Sequence, residues 1–228
     1  IGKRDIGEAD RIYMIYTLEA GKIRVLGKGV RKPNAKLAGN LETITEAEVF
    51  VAKNRGMGKI IGSIPVDNFF AIKSDFGRSE RVLRTFKIIS RFLSEEEKDE
   101  KTFGLLVDYL RLMDGSCRTE EEMEILTFGF IFRFLDGMGY RMEMEKCVYC
   151  GKKLLLENNY FSPSRGGAIC HDCQKIEGRK MAIGNNSIKL IRIFLNNKLE
   201  NLAKLKVEKR DLGNLRSILK EVLDWVAD

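Results

Sequence analysis

Two cysteine pairs, Cys147-Val148-Tyr149-Cys150 and Cys170-His171-Asp172-Cys173, stand 19 residues apart. Two Cys-x-x-Cys turns at this spacing are how a ribbon presents four thiolates to one tetrahedral ion. Cys147, Cys150, Cys170 and Cys173 are therefore expected to hold one Zn2+, with Gly151 relieving the turn after the first pair. Four thiolates leave no open coordination position, which makes such a site structural rather than catalytic. The pattern has two other readings: ordinary cysteines, or two thioredoxin-type redox dithiols, which need a βαβ context that is missing here. His171, the single histidine, is expected beside the ligands or facing solvent, and Cys117 as a loop or core thiol.

The second chemistry is that of phosphate binding. Lys28-Gly29-Val30-Arg31-Lys32-Pro33-Asn34-Ala35-Lys36 puts four cations into nine residues, a density suited to phosphates rather than base edges. The preceding run alternates, with Lys22, Arg24 and Lys28 on one face and Ile23 and Val25 on the other. The expected nucleic-acid surface comprises Lys22, Arg24, Lys28, Arg31, Lys32, Lys36 and Arg55, together with Lys152, Lys153, Arg165, Arg179 and Lys180 around the cysteines. Tyr13, Tyr16 and Phe50 are able to stack on bases, although on an amphipathic strand the core is the commoner place for an aromatic. Catalysis is not expected: the one histidine is crowded between cysteines, no paired carboxylates stand out, and no nucleotide-binding glycine loop is present.

These groups need elements to carry them, and the chain changes character along its length. The 228 residues carry a formal charge of +7, with 44% hydrophobic and 32% charged residues, enough apolar material for a packed core. Residues 1–78 bear 14 cations and 9 anions, residues 79–145 bear 10 and 15, and residues 146–228 bear 16 and 9. Short β-branched and aromatic runs at 11–17, 22–29 and 48–52, separated by glycine turns, predict a small barrel over residues 1–78. Helical periodicity takes over near residue 81 and returns at 103–113, 119–136, 186–205 and 211–225. Thr119-Glu120-Glu121-Glu122 is capping-box-like, and the acidic runs at 95–100 and 120–124 are expected to be solvated. The expected organisation is thus a barrel at 1–78, a helical domain at 79–145 and 186–228, and a ribbon inserted at 146–185.

No stretch nears the ~20 apolar residues of a membrane span, and no signal peptide is recognisable. Five clustered cysteines suit a reducing, intracellular setting rather than a disulfide scaffold. The chain opens on Ile-Gly-Lys-Arg without an initiator Met, so it is expected to start inside the natural protein.

Gly7-Glu8-Ala9-Asp10-Arg11, Gly21-Lys22-Ile23-Arg24, Lys28-Gly29-Val30-Arg31-Lys32, and Tyr160-Phe161-Ser162-Pro163 with Gly166-Gly167 resemble the RecO family of bacterial recombination mediators nearly end to end. The resemblance implies an α+β multidomain chain: an N-terminal OB-fold β-barrel, then an α-helical domain with an inserted four-cysteine zinc ribbon. It also implies a non-enzymatic DNA repair protein of the bacterial cytoplasm and nucleoid that binds single- and double-stranded DNA and anneals complementary strands. With RecR, such a protein helps load RecA onto DNA coated by single-strand binding protein, whose acidic C-terminal tail is a further expected partner. Against the family pattern both ends are expected to be short. Two other classes remain open from the residues alone: a transcription or RNA-processing factor with a structural ribbon, and an enzyme whose ribbon clamps its substrate.

Overall fold

Alternation of apolar and polar side chains, broken by glycines at positive φ, builds the first five strands: β1 (Gly2–Ile6), β2 (Asp10–Thr17), β3 (Gly21–Gly27), β4 (Glu46–Ala52) and β5 (Gly58–Asp67). The computed structural model describes residues 1–33, 35, 39–53, 56–117 and 119–227; Lys36 and Arg55 of the expected basic surface lie outside them. The sheet order is β1-β2-β3-β5-β4, antiparallel except for the parallel pair β3–β5. This is the five-stranded, partly open Greek-key arrangement of the expected OB-fold. Tyr13, Val25, Val30, Leu41 and Ile60 form its core, with Ile15, Ile23, Val49 and Val51 packed around them.

Two register shifts in the β4–β5 ladder, at Glu46/Ala47 and Phe50/Val51, change which side chains face out. The unpaired residues, Ile61 and Val66, are in β5, and inserted residues of this kind re-aim their neighbours: Ile64 stands 54% exposed opposite Glu48, while Phe50 stands 49% exposed by the plain alternation of β4. Of the three aromatics able to stack, Tyr13 is core, Tyr16 is half-buried against Phe103 with its hydroxyl donating to the Asp99 carbonyl, and Phe50 faces water.

Helices follow: α1 (Phe70–Ser74), α2 (Phe76–Phe92) and α3 (Glu100–Gly115). Asp75 caps α2 by accepting from the Arg78 N–H, and Asp99 accepts from the N–H groups of Lys101 and Thr102 at the start of α3. α2 begins several residues before the expected start because its first turn, from Phe76, is polar or exposed on every side and carries no periodic signal. Residues 1–115 form one compact unit and residues 116–228 a second.

In the second unit α4 (Glu120–Gly137) starts with the full capping box of Thr119 and Glu122. From Ile125 to Leu135 α4 is buried nearly all round, and each fully buried Phe or Leu there contributes roughly 1.5–3 kcal/mol. The ribbon strands are β6 (Asn159–Ser162), β7 (Gly167–Ile169) and β8 (Met181–Ile183), in the order β7-β6-β8. The helix expected over 186–205 is instead two, α5 (Asn185–Asn196) and α6 (Leu199–Leu202), before α7 (Lys209–Ala227). Asn197 interrupts it: its backbone is extended, its side chain donates to the Ile193 carbonyl, and its own carbonyl accepts from Arg133. α6 then lies so close to α4 that a Cβ on Gly129 would meet Leu202 at 2.2 Å. Among the described residues no helix is long and apolar enough to cross a membrane.

Gly21 has φ +63°, and a Cβ there would sit 1.8 Å from the Glu97 carbonyl oxygen. Gly21→Ala must therefore both adopt a left-handed backbone and push residues 95–97 off β3. A loss of about 2 kcal/mol or more is expected, seen as a fall of several degrees in thermal midpoint.

Candidate functional site

The four cysteines converge as their spacing implies. The sulfurs of Cys147, Cys150, Cys170 and Cys173 all lie within 4.8 Å of one another, and those of Cys150 and Cys170 are 3.8 Å apart. Four sulfurs placed tetrahedrally at ~2.3 Å from one zinc are separated by about 3.8 Å, so the cluster is positioned to bind a metal ion and fits a single one. Backbone geometry makes the two turns. The Gly151 N–H donates to the Cys147 carbonyl at 2.9 Å, with Gly151 at φ +70°, and the Cys173 N–H donates to the Cys170 carbonyl at 3.2 Å.

Electrostatics explains why a cation belongs there. Burial raises the Cys147 thiol, but the N–H groups of Cys150, Cys170 and Tyr149 outweigh it and bring the thiol down to about 6. Burial and then the neighbouring sulfurs push Cys170 up and drive Cys173 up to about 12. One thiolate forms readily, and each further one repels it until a divalent ion takes up the charge. His171 is exposed, its Nδ1 3.2 Å from the Gln174 amide, and is not a member of the cluster; Cys117 is buried elsewhere.

One carboxylate braces both turns. A single oxygen of Glu177 accepts from the hydroxyls of Tyr149 at 2.9 Å, Ser162 at 2.8 Å and Ser164 at 3.1 Å. Tyr149 lies inside the first cysteine pair, Glu177 follows the second, Ser162 ends β6 and Ser164 lies in the turn after it, so three parts of the ribbon meet at this atom. The Ser162 and Tyr149 hydroxyls hold the Glu177 carboxyl down at about 2, and the Arg165 guanidinium lies 5.4 Å from the centre of the Tyr149 ring. Sequence reasoning missed Glu177 because its partners are 13 to 28 residues away. Gly167 permits a further close approach: a Cβ there would meet the Glu143 carbonyl oxygen at 2.6 Å.

The basic loop after β3 is tethered, not loose. Val30 is buried in the barrel core, the Asp10 carboxylate accepts from the Gly29 N–H at 2.7 Å, and the Arg31 N–H donates to the Ala9 carbonyl at 3.0 Å. The candidate cations then differ in what they already touch. The Lys22 ammonium donates to the Ser90 carbonyl at 3.0 Å, Arg24 pairs with Glu95 at 2.9 Å, and Arg31 bonds the Gly7 carbonyl and lies 3.4 Å from Asp5. Lys28 and Lys32 are exposed without an ion pair among the described residues. In the second unit Arg179 pairs with Glu221 at 3.0 Å and Lys180 donates to the Glu177 carbonyl at 2.8 Å, while Lys152, Lys153 and Arg165 face solvent.

Comparison with known proteins gives this arrangement a family. The models described as Recombination protein O N terminal and Recombination protein O C terminal match residues 1–69 and 82–228. A DNA repair protein RecO of Dehalococcoides mccartyi is 31% identical over 228 residues, 100% of this chain and 88% of that protein. The chain belongs to the RecO family of DNA repair proteins. A RecO of Roseiflexus is 28% identical over 100% of this chain and 79% of its own length, and one of Pelotomaculum thermopropionicum is 26% identical over 97% and 84%.

Two stretches that carry the resemblance to RecO are in contact, for the Gly7-Glu8-Ala9-Asp10 turn supplies the carboxylate and carbonyls that hold Gly29 and Arg31. In RecO terms, Gly166-Gly167 is the turn that lets the ribbon close on residue 143.

Cys147→Ser is expected to lower bound metal well below one equivalent per chain, measured by atomic absorption, together with the thermal midpoint, because metal binding and ribbon folding are coupled. Glu177→Gln is expected to lower the midpoint by a few degrees at neutral pH. The wild-type carboxylate is ionised above its ordinary value near 4.5 and protonates on the way down to about 2, so the gap between the two proteins should narrow over that interval.

Proposed function

We propose that this chain is a non-enzymatic mediator that binds single- and double-stranded DNA through phosphate contacts and anneals complementary strands. With RecR it helps to load RecA onto single strands coated by single-strand binding protein, whose acidic C-terminal tail is a further partner. The observation that carries the reading is the tethered basic loop, which holds Lys28 and Lys32 at the surface on a backbone fixed by Val30 and Asp10. Cations on a fixed backbone meet phosphates with less ordering cost than cations on a mobile one. Membership of a family of DNA repair proteins supports the same reading.

Within the barrel the cations rank by their present partners. An exposed pair such as Arg24–Glu95 is worth about 0–1 kcal/mol, so a phosphate can displace Glu95. Lys22, half-buried on a backbone carbonyl, contributes least. Arg31 serves chiefly to hold the loop. In the ribbon, Lys152, Lys153 and Arg165 are the stronger contributors, and Arg179 and Lys180 the weaker. Lys36 and Arg55 complete the set. Cys147, Cys150, Cys170 and Cys173 hold one structural Zn2+, which fixes the ribbon and takes no part in chemistry. Residues 1–78, 79–145 with 186–228, and 146–185 are the three working parts. The protein acts in the bacterial cytoplasm at the nucleoid.

The test is the rate at which the purified chain anneals complementary single strands coated with single-strand binding protein. Acceleration over the spontaneous rate that fades with salt is expected. Lys28→Ala with Lys32→Ala should weaken binding to all sequences alike and reduce the salt slope by about 1.4, at roughly 0.7 per phosphate contact on single strands. Sequence-selective or RNA-selective binding, or no acceleration, would overturn the reading.

A further inference from the structure

The densest run of cations in the second unit extends from just after α5, through α6, into the first turn of α7, outside the ribbon. Residues 198–210 contain Lys198, Lys204, Lys206, Lys209 and Arg210 against Glu200 and Glu208, a net +3 over thirteen residues. All five cations are exposed. Lys209 lies 3.9 Å from Glu121, at the limit of an ion pair, and the other four have no ion pair among the described residues.

Their setting is built rather than loose. Leu199 and Leu202 are buried on one side of the run, with Leu202 over Gly129. On the other side Leu212 is buried, and Asp211 is buried and accepts from the Asn186 side chain at 3.0 Å. Between these anchors burial alternates: Ala203, Leu205 and Val207 are half-buried, and Lys204, Lys206 and Glu208 are exposed. The Leu205 N–H donates to the Leu202 carbonyl at 3.0 Å, so the chain turns after α6 and then runs without helix or strand through Glu208 to α7, with Lys204 and Lys206 both exposed.

We infer that residues 198–210 form a second phosphate track, which holds the complementary strand while the barrel loop holds the first. The inference rests on the annealing reading above. A continuous patch of exposed cations whose apolar neighbours are turned inward suits a polyanion held by its charge, whereas an acidic peptide would call for an apolar pocket between the cations. Two strands brought together must both have their charge neutralised while their bases stay free, and a separate track for each meets that need.

The experiment compares three full-length proteins in annealing and in binding of one labelled single strand: the wild type, the triple variant Lys204→Glu, Lys206→Glu, Arg210→Glu, and a charge-matched control. The control, Lys87→Glu, Lys189→Glu, Lys220→Glu, reverses exposed cations elsewhere. The track variant is expected to anneal on the order of tenfold more slowly than the control with an unchanged thermal midpoint. Its annealing should have a salt slope shallower by about 2, from three contacts at roughly 0.7 each, while its affinity for one strand matches the control's. Equal annealing by track variant and control would overturn the inference and leave the annealing reading standing. Loss of binding to a poly-glutamate peptide with annealing intact would assign the track to an acidic protein segment and overturn it too. A wild type that does not anneal would overturn both readings together.

Discussion

Four thiols brought within 4.8 Å of one another are an electrostatic problem before they are a binding site. The first to ionise is favoured by three N–H groups, and the last is driven up to about 12 by its burial and its neighbours. Without a cation the cluster is held short of full charge, and with one the repulsion becomes the force that seats it. The ribbon's other devices serve that arrangement: the left-handed turn at Gly151, the bare backbone of Gly167 against residue 143, and the three hydroxyls gathered on one oxygen of Glu177.

The barrel obeys a different economy. Its cations are numerous, yet several are committed within the fold: Lys22 to a carbonyl, Arg24 to Glu95, and Arg31 to the turn before β2. Such commitments are weak at the surface, about 0–1 kcal/mol for an exposed pair. They orient more than they stabilise. A side chain already pointed in one direction loses less freedom when a phosphate arrives, so partnered and unpartnered cations can work in one surface with different strengths.

Much of this was legible in the residues. Local signals survived folding: the cysteine spacing led to the convergent sulfurs, Thr119 and Glu122 made the capping box, and Ile23 and Val25 turned to the core. What was illegible depends on distant partners. Glu95 meets Arg24 across 71 positions, and Glu177 meets Tyr149 across 28. The exposure of Ile64 follows from a register shift of β5 against β4 that β5 alone does not announce. Residues 198–210 escaped notice because an apolar repeat continues through them; Asn196-Asn197 and the Lys-x-Lys alternation were the signals that the helix had ended.

The parallel joint between β3 and β5 is two residue pairs long, Val25 with Gly58 and Leu26 with Lys59. Every other contact in the first sheet is an antiparallel ladder between strands adjacent in the chain. The joint therefore carries most of the sheet's contact order, and the entropy of closing a long connection falls on a short seam. Such a seam belongs late in folding, after the β1–β2–β3 meander and the β4–β5 hairpin have formed as separate pieces. The tether from Asp10 to Gly29 is made beside the first piece, but Val30 meets Ile60 of β5 in the core only when the seam is closed, so the basic loop takes its full shape with the joining of the barrel.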